Sequence, residues 1–268
     1  CSLGIAIKFM FDSIYKNKKV LITGHTGFKG SWLAKWLIEL GADVYGYSID
    51  IPSEPSHFEK LNLESDMVSS FGDVRDYSAF KSFIDKHQPE VVFHLAAQPI
   101  VRRSFTDPLE TIETNVMGVV NVLEITRKVT SIKSLIIITS DKCYENVEWT
   151  YGYRETDRLG GEDPYSASKG AAEIIASTYM RTYFNDERVY VSTVRAGNVI
   201  GGGDWAKDRL IPDAVRAWSQ HDVLNIRNPK ATRPWQHVLE PLSGYLQVGA
   251  ELIRKNKICK NQSFNFGP

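Results

Sequence analysis

The chain has 268 residues and a mass of 30.3 kDa, room for two domains or one large α/β unit at about 150 residues per domain. Lys+Arg and Asp+Glu both number 32, so the formal charge is zero; that argues against a general nucleic-acid binder, which carries a basic surplus. Hydrophobic residues at 43% and charged residues at 24% exclude disorder across the chain, and apolar runs such as Leu135 to Ile138 are far shorter than the about 18 residues of a membrane span.

The opening nine residues, CSLGIAIKF, precede Met10. They are expected to be upstream sequence or a fragment boundary before a start at Met10, with a lipidated Cys1 as the alternative. The pattern then predicts a strand over Lys19–Thr23, a helix over Ser31–Leu40 stopped by Gly41, and strands over Asp43–Ser48 and Met67–Phe71. A Pro/Ser loop covers Asp50–His57, and a helix covers Tyr77–His87. Glu90–Leu95 is a fourth strand. Asp107-Pro108 caps a long helix to Val129, and Leu135–Thr139 is a fifth strand. Asp163-Pro164 repeats the cap for a helix to Phe184, followed by a sixth strand over Val189–Arg195. Beyond it come a Gly-rich loop, a helix over Leu210–Gln220, a helix over Pro241–Lys255 and a last strand over Ser263–Phe266. Strand–helix alternation with continuously apolar strands predicts a doubly wound parallel sheet covered on both faces. The three cysteines, Cys1, Cys143 and Cys259, form no Cys-x-x-Cys pair. A disulfide framework or metal site is not expected, and a reducing compartment such as the cytoplasm fits.

The first strand runs into Gly24-His25-Thr26-Gly27-Phe28-Lys29-Gly30 and then a helix. Glycines at these three positions allow a tight turn, close approach to a pyrophosphate and tight helix–strand packing, and the helix N-terminus supplies donors to phosphate. The whole loop is therefore a candidate dinucleotide site. Asp50 lies 20 residues after Gly30, where an acid holding the ribose hydroxyls is expected. No Arg or Lys lies between Asp43 and Glu59 to meet a 2′-phosphate, so NAD is preferred over NADP. Asp73 reads equally as an adenine contact or a loop carboxylate, and Lys29 as a pyrophosphate cation or a solvated lysine.

Tyr165 and Lys169 are four residues apart on one helix face. A lysine beside a phenol is expected to lower its pKa from about 10 toward neutrality, making Tyr165 a base for a sugar hydroxyl. Ser140, Asp141 and Lys142 emerge at the end of the fifth strand, where parallel sheets bind ligands.

The glycine loop, His94-Leu95-Ala96-Ala97, the Ser140/Tyr165/Lys169 set and Arg195 to Asn198 stand in one order. In these, and in the phrases GHTGFKGSWL, TSDKCY, RAGNVIGGGDWAKDRLIPD and RPWQHVLEPLSGYL, residues 10–268 resemble the extended branch of the short-chain dehydrogenase/reductase family, and within it the nucleotide-sugar dehydratases that act on CDP-glucose. The resemblance implies redox-neutral dehydration to a 4-keto-6-deoxy sugar in deoxysugar (O-antigen, lipopolysaccharide) synthesis. Tyr165 would be the base at the 4-hydroxyl, Asp141 the acid for the leaving 6-hydroxyl, and Lys142 the carbon-5 base or an electrostatic stabiliser of the enolate. It further implies NAD contacts from Val74, Leu95, Ala96, Ala97, Asn115 and Arg195. Gln98, Asn198, Trp205, Arg209, Arg233 and Trp235 would face the nucleotide-sugar, with a core aromatic the other reading of Trp235. Residues 10–196, rejoined by 237–268, are expected to form the NAD-binding unit, and 197–236 part of a substrate lobe whose C-terminal remainder is missing. The helices starting at Pro108 and Pro164 resemble the family's dimer-forming pair, so a homodimer or larger homo-oligomer is expected. The alternatives are a 4-epimerase of the same family and a non-catalytic NAD-binding fragment.

Overall fold

The strands are β1 (Lys19–Thr23), β2 (Asp43–Ser48), β3 (Val68–Phe71), β4 (Val91–His94), β5 (Ser134–Ile138), β6 (Tyr190–Ala196), β7 (Val199–Ile200), β8 (Gln236–His237) and β9 (Ser263–Phe266), and the central β1, β4, β5 and β6 are the short runs buried on both faces. The computed structural model describes residues 10–226 and 228–268, so the readings of Cys1 and of CSLGIAIKF lie outside the described residues. Seven strands form one sheet in the order β3-β2-β1-β4-β5-β6-β9, with every pairing parallel. β7 and β8 form a separate two-stranded ladder. The order reverses between β1 and β4, the switch point at which the carboxyl ends of strands open a crevice.

Two layers of helices explain the unbroken hydrophobicity of the strands. Val20, Ile22, Phe93, Ile136 and Ile138 face one core, and Leu21, Val92, Leu135 and Ile137 the other, the period-two alternation of a pleated sheet. The helices are α1 (Phe28–Glu39), α2 (His57–Lys60), α3 (Tyr77–His87), α4 (Val101–Thr106), α5 (Pro108–Ile112), α6 (Gly118–Lys128), α7 (Pro164–Thr182), α8 (Leu210–Ser219) and α9 (Leu239–Ile253). The first core takes Leu33 and Leu37 of α1 and Leu242 and Leu246 of α9; the second takes Phe80 and Ile84 of α3, Val122 and Ile125 of α6, and Ala172 and Ala176 of α7. Each fully buried side chain of this kind contributes about 1.5–3 kcal/mol.

The Asp-Pro starts act as the pattern predicts. The carboxylates of Asp107 and Asp163 accept the backbone N–H groups of Glu110 (3.0 Å) and Ser166 (2.9 Å), contacts worth about 1 kcal/mol each. The helix expected from Asp107 to Val129 is not regular, because a π-turn over Glu113–Met117 inserts between α5 and α6. The side chain of Asn115 inside that turn binds elsewhere, as described below. α2 and α4 are additional; each is too short to show an apolar period.

Candidate active site

Along the carboxyl edge of the sheet lies a cleft of about 1150 Å³. One wall is the loop from β1 to α1. Gly24 has φ +73°, and a Cβ there would stand 2.9 Å from the Ala96 nitrogen. A Cβ on Gly30 would stand 2.0 Å from the Gly24 carbonyl oxygen. Both positions require glycine, and backbone is left facing the cleft with Thr26, Phe28 and Lys29. Thr26 Oγ1 donates to the Asp50 carbonyl (2.6 Å), fixing the rim where the Asp50 side chain is exposed.

His25 is the exception in the loop. Its buried ring hydrogen-bonds Ser48 Oγ (2.8 Å) and Ser69 Oγ (2.7 Å), behind the cleft wall. Burial lowers its pKa to about 4, so it is a neutral brace between β2 and β3 and its side chain does not line the cleft. Asp73 and Val74 do line it. Arg75 binds the Asp73 carboxylate at 2.6 and 2.8 Å. Although burial opposes the shift, this contact holds Asp73 below the usual carboxylate range.

Leu95, Ala96, Ala97 and Gln98 continue the floor. Asn115 stands behind them. Its side chain accepts from Gln98 N (2.8 Å) and donates to Gln98 O (3.1 Å) and Ser168 Oγ (2.9 Å). Asn115 therefore clamps the loop after β4 onto α7 and is not itself in the cleft wall. The Gln98 amide is occupied by Thr111 Oγ1 (2.8 Å) and the Ile100 backbone.

The opposite wall carries Tyr165 and Lys169; Ser140, Asp141 and Lys142, all half-buried, are not in the cleft wall. Ser140, two residues past β5, caps the 3-10 turn Asp141–Cys143, accepting Lys142 N–H at 3.2 Å and donating to Asp141 Oδ1 at 2.8 Å. Tyr165, in the first turn of α7, has Ser140 near enough to lower its pKa. Lys169 Nζ lies 5.9 Å from the Tyr165 ring centroid. The expected lowering of the Tyr165 pKa is not what this environment produces. Burial raises it to about 12, the Asp141 charge adds to that, and Ser140 and Arg209 only partly oppose. Lys169 falls to about 8, through burial and the charge of Lys29. Desolvation outweighs the attraction of the pair.

Lys29 is not a solvated surface lysine. Burial and Arg209 lower its pKa to about 8 against the pull of Asp141. Cys143 is fully buried, its thiol pushed up to about 12 by burial, the environment of an inert core filler.

Arg195 does not reach the cleft. It pairs with Glu173 at 2.7 Å, with the two side chains 4% and 1% exposed, and donates to Tyr144 Oη (2.6 Å) and the Glu155 carbonyl (3.1 Å). Glu173 also accepts from Thr139 and Thr193. Glu173 went unrecognised in the sequence. The available signal was its place one turn after Lys169 on the same helix face.

Of the six residues expected to face the nucleotide-sugar, Gln98, Trp205 and Arg209 line the cleft. Arg209 is steadied by Asp204 (3.1 Å). Asn198 receives Gln236 N–H on its backbone oxygen, at 3.1 Å. Arg233 is exposed, bonded to the Thr232 carbonyl, and Trp235 is half-buried beside it. None of these three is in the cleft wall. Among the described residues no group of three or more His, Cys, Asp or Glu could hold a metal, and no helix is long and apolar enough to cross a membrane.

A glycine loop at the switch point of a doubly wound sheet, facing a tyrosine and a lysine across one cleft with a serine beside them, defines an extended short-chain dehydrogenase/reductase. Within that class, residues 21–265 match the family model described as GDP-mannose 4,6 dehydratase, and the chain belongs to that family. It is 52% identical over 261 residues to CDP-glucose 4,6-dehydratase of Salmonella typhimurium, covering 96% of this chain and 72% of that protein. To dTDP-glucose 4,6-dehydratase of the same organism it is 30% identical over 62% of the chain and 51% of the relative. In fold it is similar to the epimerase Mth375 of Methanothermobacter thermautotrophicus, with a TM-score of 0.84, 23% identity, and 97% of this chain and 75% of that one covered. It is also similar to the dTDP-glucose 4,6-dehydratase DesIV of Streptomyces venezuelae solved with NAD, with a TM-score of 0.80, 22% identity and coverages of 92% and 75%.

Proposed function

We propose that the protein is an NAD-dependent hydro-lyase that converts CDP-glucose to CDP-4-keto-6-deoxyglucose, supplying deoxysugar for lipopolysaccharide-type glycans in the cytoplasm. The observation that carries the reading is Asp141 hydrogen-bonded to Ser140 beside Tyr165. This sets an acid for water loss near the base that serves oxidation at carbon 4. A 4-epimerase has no use for that acid. The 52% identity to a CDP-glucose 4,6-dehydratase supports the same reading.

NAD fits the loop wall, because the space a Cβ would fill at Gly24 and Gly30 is closed by backbone and the helix N-terminus behind it favours phosphate. When bound along the Gly24–Gly30 loop, NAD⁺ would supply the hydride acceptor for carbon 4, the hydride donor for carbon 6 and a positive charge that favours a tyrosinate. Tyr165 takes the 4-hydroxyl proton, and Ser140 holds the phenol in line. Lys142 receives the carbon-5 proton made acidic by the 4-keto group and gives a proton back to carbon 5 when hydride reaches carbon 6. Asp141 delivers a proton to the 6-hydroxyl, which leaves as water. Lys29, Lys169 and Arg209 surround Asp141 and Tyr165 with positive charge, suited to a diphosphate and an enolate. We read residues 197–236 as part of the substrate lobe, carrying Trp205 and Arg209 for the nucleotide, and Asn198, Arg233 and Trp235 as contacts made once substrate is bound. A second copy of the chain is the partner we assign to the exposed apolar side chains Phe105, Leu109, Ile112 and Ile174 on α4, α5 and α7.

The test is incubation with CDP-, UDP-, GDP- and dTDP-glucose, reading the alkali-induced absorbance of a 4-keto-6-deoxy sugar; product from CDP-glucose is expected. Asp141→Asn/Lys142→Met should abolish that product, and Lys142→Met alone should stop exchange of the carbon-5 hydrogen with deuterated solvent. A double variant working at the parent rate would refute the assignment.

A further inference from the structure

Two side chains of the cofactor unit, Trp32 of α1 and His57 of α2, have no part in the chemistry above. Trp32 Nε1 donates to the Gly202 carbonyl at 2.9 Å, a bond between residues 170 apart in the chain. The Trp32 ring stacks on His57, with centroids 4.8 Å apart and 28° between the planes. Ser31 Oγ hydrogen-bonds His57 Nδ1 at 2.8 Å, so the imidazole is fixed at its face and at its edge. It lies against Gly203, which has φ +87°; a Cβ there would stand 2.3 Å from His57 Cδ2. The turn Gly201–Gly203 is therefore shaped to an imidazole and tied to an indole. His57 and Gly203 both line the cleft.

The turn leads straight into the substrate wall. Asp204 follows it, with a side chain 7% exposed that pairs with Arg209 at 3.1 Å and accepts Ala206 N–H at 3.3 Å. Arg209 is the cation this segment presents to the cleft with a fixed carboxylate partner. On the far side, Arg216 of α8 donates to the carbonyls of Trp205 (3.0 Å) and Ala206 (3.2 Å). The segment is thus gripped by α8 at one end and seated on α1 and α2 at the other. A binding group on a loop is placed only as well as its supports place it.

We propose that Trp32 and His57 are positioning residues for substrate binding: they seat the Gly201–Gly203 turn and, through Asp204, fix where Arg209 meets the nucleotide-sugar. The inference rests on the reading of CDP-glucose as substrate. No proton moves to or from either side chain. The seat is built on α1, the helix whose N-terminus we assign to the dinucleotide phosphates. Cofactor and sugar are thereby held from one rigid element, and hydride transfer needs the two reacting carbons at a fixed spacing.

Trp32→Phe in the full-length protein tests this, since it removes the indole N–H and keeps a ring for His57. Calorimetric affinity for CDP-glucose should fall about five-fold, the weight of one hydrogen bond, while affinity for NAD⁺ stays at the parent value. His57→Ala, which takes away the ring beneath the indole, should weaken CDP-glucose binding in the same way. Arg209→Gln alone should weaken it about ten-fold or more, the value of a bond from a charged group. Because Trp32 acts through Arg209, Trp32→Phe should add little in the Arg209→Gln background, whereas a general loosening of the fold would add its full effect there. Parent-level affinity in both Trp32→Phe and His57→Ala would overturn the proposal. So would full additivity with Arg209→Gln, or loss of NAD⁺ affinity in step with CDP-glucose affinity. The dehydratase reading fails separately: a parent that binds CDP-glucose without forming the 4-keto-6-deoxy product refutes that reading and leaves the binding cycle to decide this one. A parent that binds no CDP-glucose overturns both.

Discussion

The two walls of the cleft are built from different material. The wall between β1 and α1 presents backbone, and what it demands of the sequence is the absence of side chains at Gly24 and Gly30. The wall with Tyr165 and Lys169 presents charge, and these two share the site with Lys29, Arg209 and the nearby Asp141. A steric wall fails all at once, because a backbone clash cannot be met halfway. An electrostatic wall fails step by step, because each group serves a different proton. Lys29 joins the two: it is placed by the loop and acts within the charged cluster.

The sharpest test of the charged wall is Tyr165→Phe. The variant should bind NAD⁺ nearly as the parent does and lose about 10²-fold or more in turnover, the usual weight of a general base. Product assays beside calorimetric titration check both halves. Normal turnover would remove Tyr165 from the base role and the mechanism with it. A pKa of about 12 for the phenol without cofactor means that the base is not formed in advance, so the free enzyme should show no tyrosinate absorbance at neutral pH.

Behind that wall the Glu173–Arg195 pair holds β6 to α7. Glu173→Ala would strand a buried guanidinium, and breaking such a pair costs about 3–5 kcal/mol. Thermal or denaturant unfolding should register that loss in stability. Cofactor affinity per folded molecule should not change, since neither side chain lines the cleft. Undiminished stability would mean that Arg195 finds water or another acceptor.

These contrasts also explain what was legible in the sequence. The parallel sheet, the glycine loop and both Asp-Pro helix starts follow from local pattern, because strand alternation and caps are properties of neighbours along the chain. Ser140, Asp141, Tyr165 and Lys169 could be brought together since parallel strands send all their carboxyl ends to one edge. What the pattern did not carry was side-chain direction. His25 and Asn115 sit in motif positions yet turn behind the wall. Arg195, at the end of a strand that points to the cleft, is drawn instead to Glu173, which it meets at 2.7 Å. The sign of the Tyr165 shift was missed for a related reason. A lysine at i+4 is visible in the sequence, whereas the burial that outweighs it is a property of the closed fold.

The smallest effect expected belongs to the loop wall and concerns which dinucleotide it takes. The Asp50 carboxylate stands exposed at the rim, with its backbone held by Thr26. A 2′-phosphate brought there would meet like charge. No Lys or Arg between residues 43 and 59 offsets it, and the Arg75 guanidinium is already taken by Asp73. Because Asp50 is in water, the repulsion is only about 1 kcal/mol per unit charge at 4 Å, a preference of several-fold for NAD⁺ over NADP⁺. Salt with a Debye length of about 8 Å at physiological strength should shrink it further. Isothermal titration with both dinucleotides, at low and at high salt, measures the ratio. Asp50→Ala should narrow it while leaving NAD⁺ bound, since the glycine backbone and helix terminus still hold the phosphates. Equal or tighter binding of NADP⁺ by the parent protein would show that selectivity lies elsewhere than at Asp50.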